Sequence, residues 1–221
     1  MKKEIKNSEL IIFGINNMAI EIKEVASVYY SKNFSNIRMV YFNDSFIKDN
    51  NLEDKINRND YIIYFIIGFG GSNRKECFET VKKYSNFIPF SIVHPSAVIL
   101  RTATIGRGCF VQPNTTISSN VIIGDHCIIN YNVSIGHDSI ISDNVLVQPG
   151  ARISGNCIVG AGTLIGSNSF VYQNVKVGKG CLVDALTYIH EDLQDNMIVS
   201  SRYDKSISRG VLDKNKIVMW K

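Results

Sequence analysis

The chain has 221 residues, which is room for one large domain or two smaller ones, and its 45% hydrophobic content is that of a globular protein. Its net charge of +4 comes without a basic cluster, so the composition does not favour a nucleic-acid-binding protein. No apolar run reaches the roughly 18 residues of a membrane span, and the apolar run near the start is too short for a signal-peptide core. We therefore expect a cytoplasmic protein that is not inserted into a membrane.

The first ninety residues alternate strand-like and helix-like segments. Runs of aliphatic and aromatic residues predict three strands, at 9–15, 37–44 and 60–68. Helix-compatible segments follow the first and third of these runs, at 17–30 and 73–85. This order predicts an α/β domain over residues 1–92, with a small Rossmann-like parallel sheet and helices on its faces. The segment 88–99 is expected to link it to the rest of the chain.

Ligands of parallel α/β sheets bind at the carboxyl ends of the strands, so the residues at those ends are candidate substrate-binding residues. They are Asn16, Asn17 and Met18 after the first strand, Asn43 and Asp44 after the second, and Gly68 after the third. The glycines do not complete a G-x-G-x-x-G pattern, so a dinucleotide is not predicted. The alternative is that the glycines at these ends only turn the chain from strand into helix.

Sixteen consecutive hexapeptides run from 98 to 193. Ile or Val holds the second place in all sixteen. Between Gly108 and Gly180 the fifth place is Gly or Asn in eleven of thirteen hexapeptides, with His126 and Asp138 as the exceptions. These residue types tolerate the left-handed backbone of a corner. The period predicts an all-β parallel β-helix over 93–193, with three hexapeptides per coil and coils about 4.8 Å apart.

Two further features depend on this repeat. Four of the five cysteines are separated by multiples of six residues, which predicts buried thiols and neither a metal site nor disulfides; they are Cys109, Cys127, Cys157 and Cys181. A solenoid also needs capped ends, so the segment 194–221 is predicted to cap the β-helix or to pack against a neighbouring subunit.

His137 holds the fourth place of its hexapeptide, where other hexapeptides have polar residues such as Arg107 and Lys179. It is therefore expected on the outer surface. Imidazole titrates near neutral pH, so His137 can act as a general base. Asp138 follows at a corner, where it would either orient the imidazole or only form the turn. The alternatives for His137 are an idle surface residue and a residue buried between subunits.

An α/β domain, then "HPSAVI" (94–99), then hexapeptides that include "INYNVSIGHD" (129–138) resemble the bacterial sugar acyltransferases of the sialic-acid O-acetyltransferase and bacillosamine-type N-acetyltransferase group. The resemblance extends from residue 9 to about 193. It implies a left-handed β-helix, a homotrimer with active sites between subunits, acetyl-CoA in the groove between adjacent β-helices, and a sugar at the N-terminal domain. It also implies that His137 is the general base and that Asp138 supports it.

The resemblance assigns further residues to the CoA site: Leu146, Ser167 and Ala185 match positions that line CoA. Leu146 also stands where many members of the group have a second histidine. Gly155 lies 18 residues after His137, so it should stack on it one coil further along. Its bare backbone would let a thioester approach, and its N–H would stabilise the oxyanion.

The resemblance thus predicts an acetyl-CoA-dependent N-acetyltransferase that uses no metal. Its acceptor would be the amine of a dTDP- or UDP-linked amino sugar in surface-polysaccharide synthesis. O-acetylation of a sugar hydroxyl is the alternative within the same chemistry, because both nucleophiles need the same base. Two alternatives come from other classes: a β-helix metallohydratase, which needs about three histidines converging on one zinc, and a non-catalytic scaffold or sugar sensor.

Overall fold

The structure is a computed structural model that describes residues 8–56, 58, 60–70, 72–201 and 207–208. The chain divides into two compact units. The first unit is Met1–Ile92 with Arg107–Phe110, and the second is Val93–Gly106 with Val111–Lys221. The domain limits expected from the sequence, at residues 92 and 193, stay predictions.

A four-stranded parallel sheet forms the centre of the first unit. Its strands are β1 (Ser8–Phe13), β2 (Asn36–Val40), β3 (Ile62–Ile67) and β4 (Phe87–Pro89), in the order β2-β1-β3-β4. The helices are α1 (Asn17–Tyr29), α2 (Phe46–Asp49) and α3 (Ser72–Val81), and a short 3-10 helix covers Ser31–Asn33. The predicted Rossmann-like α/β fold is therefore confirmed. Among the described residues, no helix is long and apolar enough to span a membrane.

The fourth strand was not expected, since β4 lies at the start of the predicted link. Its three residues end in proline, and so short a run cannot show the two-residue period of a strand.

The central strand β1 is buried along its whole length, as in a parallel sheet covered on both faces. Glu9 of β1 is 1% exposed, and its carboxylate is 3.1 Å from both Arg38 Nε and Lys55 Nζ. A buried carboxylate needs such partners, so this cluster fastens β1 to β2 and to the segment after α2.

The second unit is a left-handed parallel β-helix with three faces, as predicted. Face 1 contains Val98–Ile99, Thr116–Ile117, Ser134–Ile135, Arg152–Ile153, Phe170–Val171 and Tyr188–Ile189. Face 2 contains Thr104–Ile105, Ile122–Ile123, Ile140–Ile141, Ile158–Val159 and Lys176–Val177. Face 3 contains Ile128–Ile129, Leu146–Val147, Leu164–Ile165, Leu182–Val183 and Met197–Val199. Two further strands are Ile92–Val93 and Phe110–Val111.

The predicted corners are confirmed by the backbone. All thirteen fifth-place residues from Gly108 to Gly180 have φ between 53° and 70°, and these include His126 and Asp138. The aliphatic second places point into the coil; Ile117, for example, is completely buried. The four cysteines of the repeat are buried thiols, as expected, and Cys77 of the first unit is buried as well. Two places of each hexapeptide therefore have different structural roles: the second builds the core and the fifth turns the chain.

The sheet of face 3 continues beyond the predicted end of the repeat at 193. Met197–Val199 pairs in parallel with Leu182–Val183, and Ile207–Ser208 pairs antiparallel to Met197–Val199. Residues 202–206 and 209–221 lie outside the described part of the chain. The role of the segment 194–221 as a cap stays a prediction for those residues.

Candidate functional site

His137 and Asp138 form the corner between faces 1 and 2, which we call the first corner. The Asp138 N–H donates to the Ser119 carbonyl at 3.0 Å, in the preceding coil. The His137 carbonyl accepts from the Asn156 N–H at 2.8 Å, in the following coil. Because the coils on both sides bond to it, the backbone of this corner is fixed although both side chains are exposed to solvent.

The two side chains form a hydrogen-bonded pair. His137 Nδ1 lies 2.7 Å from Asp138 Oδ2, and the side chains are 57% and 45% exposed. A proton on Nδ1 is favoured because this nitrogen faces a carboxylate, and Nε2 is then left as the basic nitrogen. Asn120 donates from Nδ2 to Asp138 Oδ1 at 2.9 Å. The Asn120 amide, and next the His137 ring, hold the pKa of Asp138 below its usual value.

Gly155 lies directly against the His137 ring. A Cβ at position 155 would come within 2.6 Å of Nε2 and 2.8 Å of Cε1 of His137. No positive φ is involved at Gly155, so the glycine is required here for space and not for its backbone conformation. The imidazole keeps its observed position only because this residue has no side chain.

The amide of Gly155 differs from those of two other fourth-place residues. The N–H groups of Asp125 and Lys179 donate to the carboxylates of Asp143 and Asp195, each at 2.8 Å. None of the residues that the structure describes accepts a hydrogen bond from the Gly155 N–H. This donor is therefore open to a ligand beside the imidazole.

The other residues expected to line the CoA site lie elsewhere. Ser167 and Ala185 stack at the corner between faces 3 and 1, where the Leu186 N–H donates to the Ser167 carbonyl at 2.8 Å. Leu146 lies in a strand of face 3 and is 9% exposed. Ser167 lies 30 residues after His137, which is not a multiple of the 18-residue coil, so Ser167 and Ala185 lie at the other end of face 1. Leu146 lies in face 3, which does not border the first corner. Within one chain they do not meet.

A cleft of about 300 Å³ opens at the carboxyl ends of β1, β2 and β3, where the rule for parallel sheets predicts ligands. Its lining is Gly14, Ile15, Asn16, Tyr41, Phe42, Phe69, Gly70 and Asn73. Asn16, a predicted substrate-binding residue, also caps α1, since its Oδ1 accepts from the Ala19 N–H at 3.0 Å. The amino end of α1 therefore borders the cleft.

The other predicted substrate-binding residues do not line this cleft. Asn17 and Met18 belong to the first turn of α1. Asn43 accepts from the Ser45 N–H at 3.0 Å and donates to Asp49, and Asp44 is exposed beside it. At Gly68 a Cβ would lie 3.0 Å from Ala19, so this glycine lets β3 pack closely against α1. Close packing against α1 therefore explains a glycine at this position without a ligand, and its role in substrate binding stays a prediction.

The sequence interpretation missed Tyr41, Phe42, Phe69 and Asn73. The strand was expected to end at residue 44, whereas β2 ends at Val40, so the residues that follow it are two aromatics. The Phe69 loop is held by Arg74, which is 2% exposed and donates from Nη1 to the Ile67 and Phe69 carbonyls at 2.6 and 2.9 Å. The cleft therefore combines exposed aromatic surface with a helix amino end.

Metal chemistry receives no support from the histidines. His126 is 2% exposed and lies at the corner between faces 2 and 3, so it does not converge with the exposed His137. Among the described residues, no group of three or more His, Cys, Asp or Glu side chains could hold a metal ion. The His137–Asp138 pair, with Nε2 beside the bare backbone of Gly155, has the geometry of a proton acceptor.

Comparisons with known proteins agree on the fold. Residues 102–137 and 138–173 match the family model of the bacterial transferase hexapeptide (six repeats). A search of curated proteins found no match. The acetyltransferase domain of PglB from Neisseria gonorrhoeae is 21% identical, with a TM-score of 0.79 over 91% of this chain and all of that one. A second structure of that domain, in complex with acetyl coenzyme A, is 22% identical with a TM-score of 0.77 over the same shares of both chains.

Two more solved structures share this architecture. A histidine-to-asparagine mutant of perosamine N-acetyltransferase from Caulobacter crescentus, bound to CoA and GDP-perosamine, is 19% identical with a TM-score of 0.76, over 90% of this chain and 97% of that one. WeeI from Acinetobacter baumannii is 18% identical with a TM-score of 0.78, over 91% of this chain and all of that one. Residues 102–173 thus match the bacterial transferase hexapeptide repeat, and the chain has the fold of these solved structures.

Proposed function

We propose that the protein is an acetyl-CoA-dependent N-acetyltransferase whose acceptor is the amine of a nucleotide-linked amino sugar, with dTDP or UDP as the nucleotide, in surface-polysaccharide synthesis. One observation carries the proposal: the His137–Asp138 pair at an exposed corner, with Nε2 beside the bare backbone of Gly155. The solved structures that share the fold support it, because they include complexes with acetyl coenzyme A and with CoA and GDP-perosamine. Both co-substrates are metabolites of the cytoplasm, which is the proposed location.

The reaction needs no covalent acyl-enzyme. The acceptor amine attacks the thioester carbonyl of acetyl-CoA, and His137 Nε2 takes the proton that the nitrogen loses. The Asp138 carboxylate stabilises the imidazolium that forms and keeps Nδ1 as the protonated nitrogen. The Gly155 N–H donates to the oxyanion of the tetrahedral intermediate. The intermediate collapses with release of CoA thiolate, which carries the electron pair of the broken C–S bond.

The cleft of the first unit is the proposed site for the nucleotide part of the acceptor. The amino end of α1 carries partial positive charge, which favours phosphate groups. Tyr41 is 60% exposed at the rim of the cleft and offers a flat face on which a base can stack. Anionic phosphates and an aromatic base are the two parts that every nucleotide sugar has in common.

O-acetylation of a hydroxyl would use the same base and the same oxyanion donor. We favour the amine because a protein of this fold is described as an N-acetyltransferase and was crystallised with an amino sugar linked to a nucleotide. The choice can be tested with acceptor pairs that differ only in an amine or a hydroxyl at the reacting carbon.

A homotrimer is proposed as the active assembly. Ser167 and Ala185, which are assigned to CoA, lie at a different corner from His137, and Leu146 lies in a strand of face 3, so one chain alone does not bring them together. Face 2 also has a column of exposed isoleucines, Ile122, Ile140 and Ile158, which are 50%, 40% and 37% exposed. Such an apolar column is typical of an interaction surface. The first corner borders this face, so a copy packed there would line the His137 groove.

Replacing His137 with alanine tests the base. We expect kcat to fall by roughly 10²–10⁴-fold, the usual contribution of a general base, with release of free thiol from acetyl-CoA followed over a panel of nucleotide-linked amino sugars. The melting temperature should stay nearly unchanged, because the side chain is exposed. His190→Ala, another exposed histidine, is the control. Near-normal turnover by His137→Ala at pH 7 would remove the assignment.

Replacing Gly155 with alanine tests the space beside the imidazole. The new methyl group forces the exposed ring away from its place and breaks the bond to Asp138, so kcat should fall by about tenfold or more while the fold is kept. In the His137→Ala background, the same substitution should cause a smaller loss, because the ring it displaces is gone and only the approach of the thioester remains to be affected. A normal kcat for Gly155→Ala would show that the ring position does not matter.

Replacing Tyr41 with alanine tests the nucleotide cleft. The KM for the nucleotide sugar should rise about tenfold, since stacking on a base is worth about 1–3 kcal/mol, and the KM for acetyl-CoA should not change. Tyr29→Ala, at the far end of α1, is the control because this tyrosine is similarly exposed and outside the cleft. Equal KM values for wild type and Tyr41→Ala would place the nucleotide elsewhere.

The paired change Ile122→Glu with Ile158→Glu tests the assembly. Light scattering should give three chains of 24.8 kDa for the wild type and a single chain for this variant, because two carboxylates would be buried in an apolar contact. Thr116→Glu, on the exposed part of face 1 in the same coil as Ile122, should remain trimeric. A fully active wild-type monomer, or a variant that stays trimeric, would contradict the proposal.

A further inference from the structure

We propose that Asn120 is a positioning residue for His137 and acts through Asp138; this inference rests on the proposed function of the site. Asn120 lies 18 residues before Asp138, which is one coil, so the two residues stack at the first corner. Its Nδ2 donates to Asp138 Oδ1 at 2.9 Å, while Asp138 Oδ2 faces His137 Nδ1 at 2.7 Å. Three side chains from two coils thus form one hydrogen-bonded chain that ends at the imidazole.

The carboxylate needs such a second bond because it is exposed. The Asp138 side chain is 45% exposed, and the terminal torsion of an aspartate is broad, so a single bond to His137 would leave it free to rotate. With each oxygen bonded to a different partner, the plane of the carboxylate is set. A carboxylate in a fixed plane holds Nδ1–H, and Nε2 is thereby kept as the acceptor.

Asn120 is itself well placed for this task. Its backbone has φ of 58°, and its N–H donates to Thr102 Oγ1 at 2.9 Å in the coil before. The side-chain amide of Asn120 therefore projects from a corner whose backbone is bonded to the preceding coil. An aspartate at position 120 would repel Asp138, and a leucine would supply no donor. A neutral donor such as the asparagine amide is therefore required at this position.

The corner role of Asn120 can be separated from its role toward Asp138. Asn114 has the same features at another corner: φ of 57°, an exposed side chain, and an N–H that donates to a hydroxyl of the preceding coil, Ser96 Oγ, at 3.1 Å. Glycine accepts the positive φ of either corner and keeps the N–H. Asn120→Gly and Asn114→Gly are therefore a matched pair, and of the two only Asn120→Gly removes a donor to Asp138.

The kinetic test uses these two variants. Asn120→Gly should lower kcat by roughly 2- to 10-fold, the worth of one hydrogen bond, with both KM values unchanged, and Asn114→Gly should behave as wild type. In the Asp138→Gly background, Asn120→Gly should cause no further loss, because the carboxylate it holds is absent. A loss of the same size in both backgrounds, or in both asparagine variants, would overturn the inference.

A spectroscopic test decides the inference even if the proposed reaction is wrong. The chain has four histidines, and the ¹⁵N signals of His137 can be assigned by their loss in His137→Gln. At a pH where the ring is neutral, wild type and Asn114→Gly should show the tautomer with the proton on Nδ1. Asn120→Gly should show an increased fraction with the proton on Nε2. If that fraction is unchanged, Asn120 does not position the imidazole; if it rises while no acceptor is turned over, the proposed function fails and the positioning role stands.

Discussion

The left-handed corner at every sixth residue is the constraint on which the second unit depends. With φ near 60° at each fifth place, three short strands close into a coil, and each residue comes to lie beside the residue 18 positions further along. Parallel pairing then fixes this register, as between Ser134 and Arg152 on face 1. The candidate site is a direct product of that register, because Asn120, Asp138 and Gly155 belong to three successive coils and meet His137 at one corner.

The same constraint separates stability from chemistry. Aliphatic second-place residues such as Ile135 and Ile153 are buried and build the core. The fourth-place side chains lie outside this core, so a histidine at 137 and a glycine at 155 change the stability of the fold little. The imidazole is nevertheless held in place, since the backbone beneath it bonds to coils on both sides. A surface residue thus gains the fixed geometry that the proposed reaction requires, without being buried.

Residue types and spacing were sufficient to predict much of this architecture. The corners at His126 and Asp138 were predicted although neither is Gly or Asn, because the period itself identified their place. The contact between His137 and Gly155 followed from the same count. The separation of His137 from Ser167 follows from the same count, since a spacing of 30 residues leads to a different corner. It is compatible with the family resemblance, which implies active sites between subunits.

Other features could not be predicted, and the reasons are physical. Asn120 looked like any other corner asparagine, and its bond to Asp138 depends on side-chain torsions that no period reveals. Tyr41 and Phe42 were assigned to the interior of a strand because aromatic residues favour strands. β2 ends before them, and a residue just past the end of a strand has a different environment from one within it.

The 18-residue coil has a consequence for how such a chain can change its length. An insertion or deletion of one whole coil before Ser119 would leave the histidine on the same edge of the prism, with its neighbours intact. Adding or removing one hexapeptide between Asn120 and His137 would preserve the pattern of strands and corners, and yet it would turn the His137–Asp138 pair by one third of a turn relative to Asn120. Lineages of this fold are therefore free to grow or shrink by coils, while single hexapeptides within the site are fixed in number.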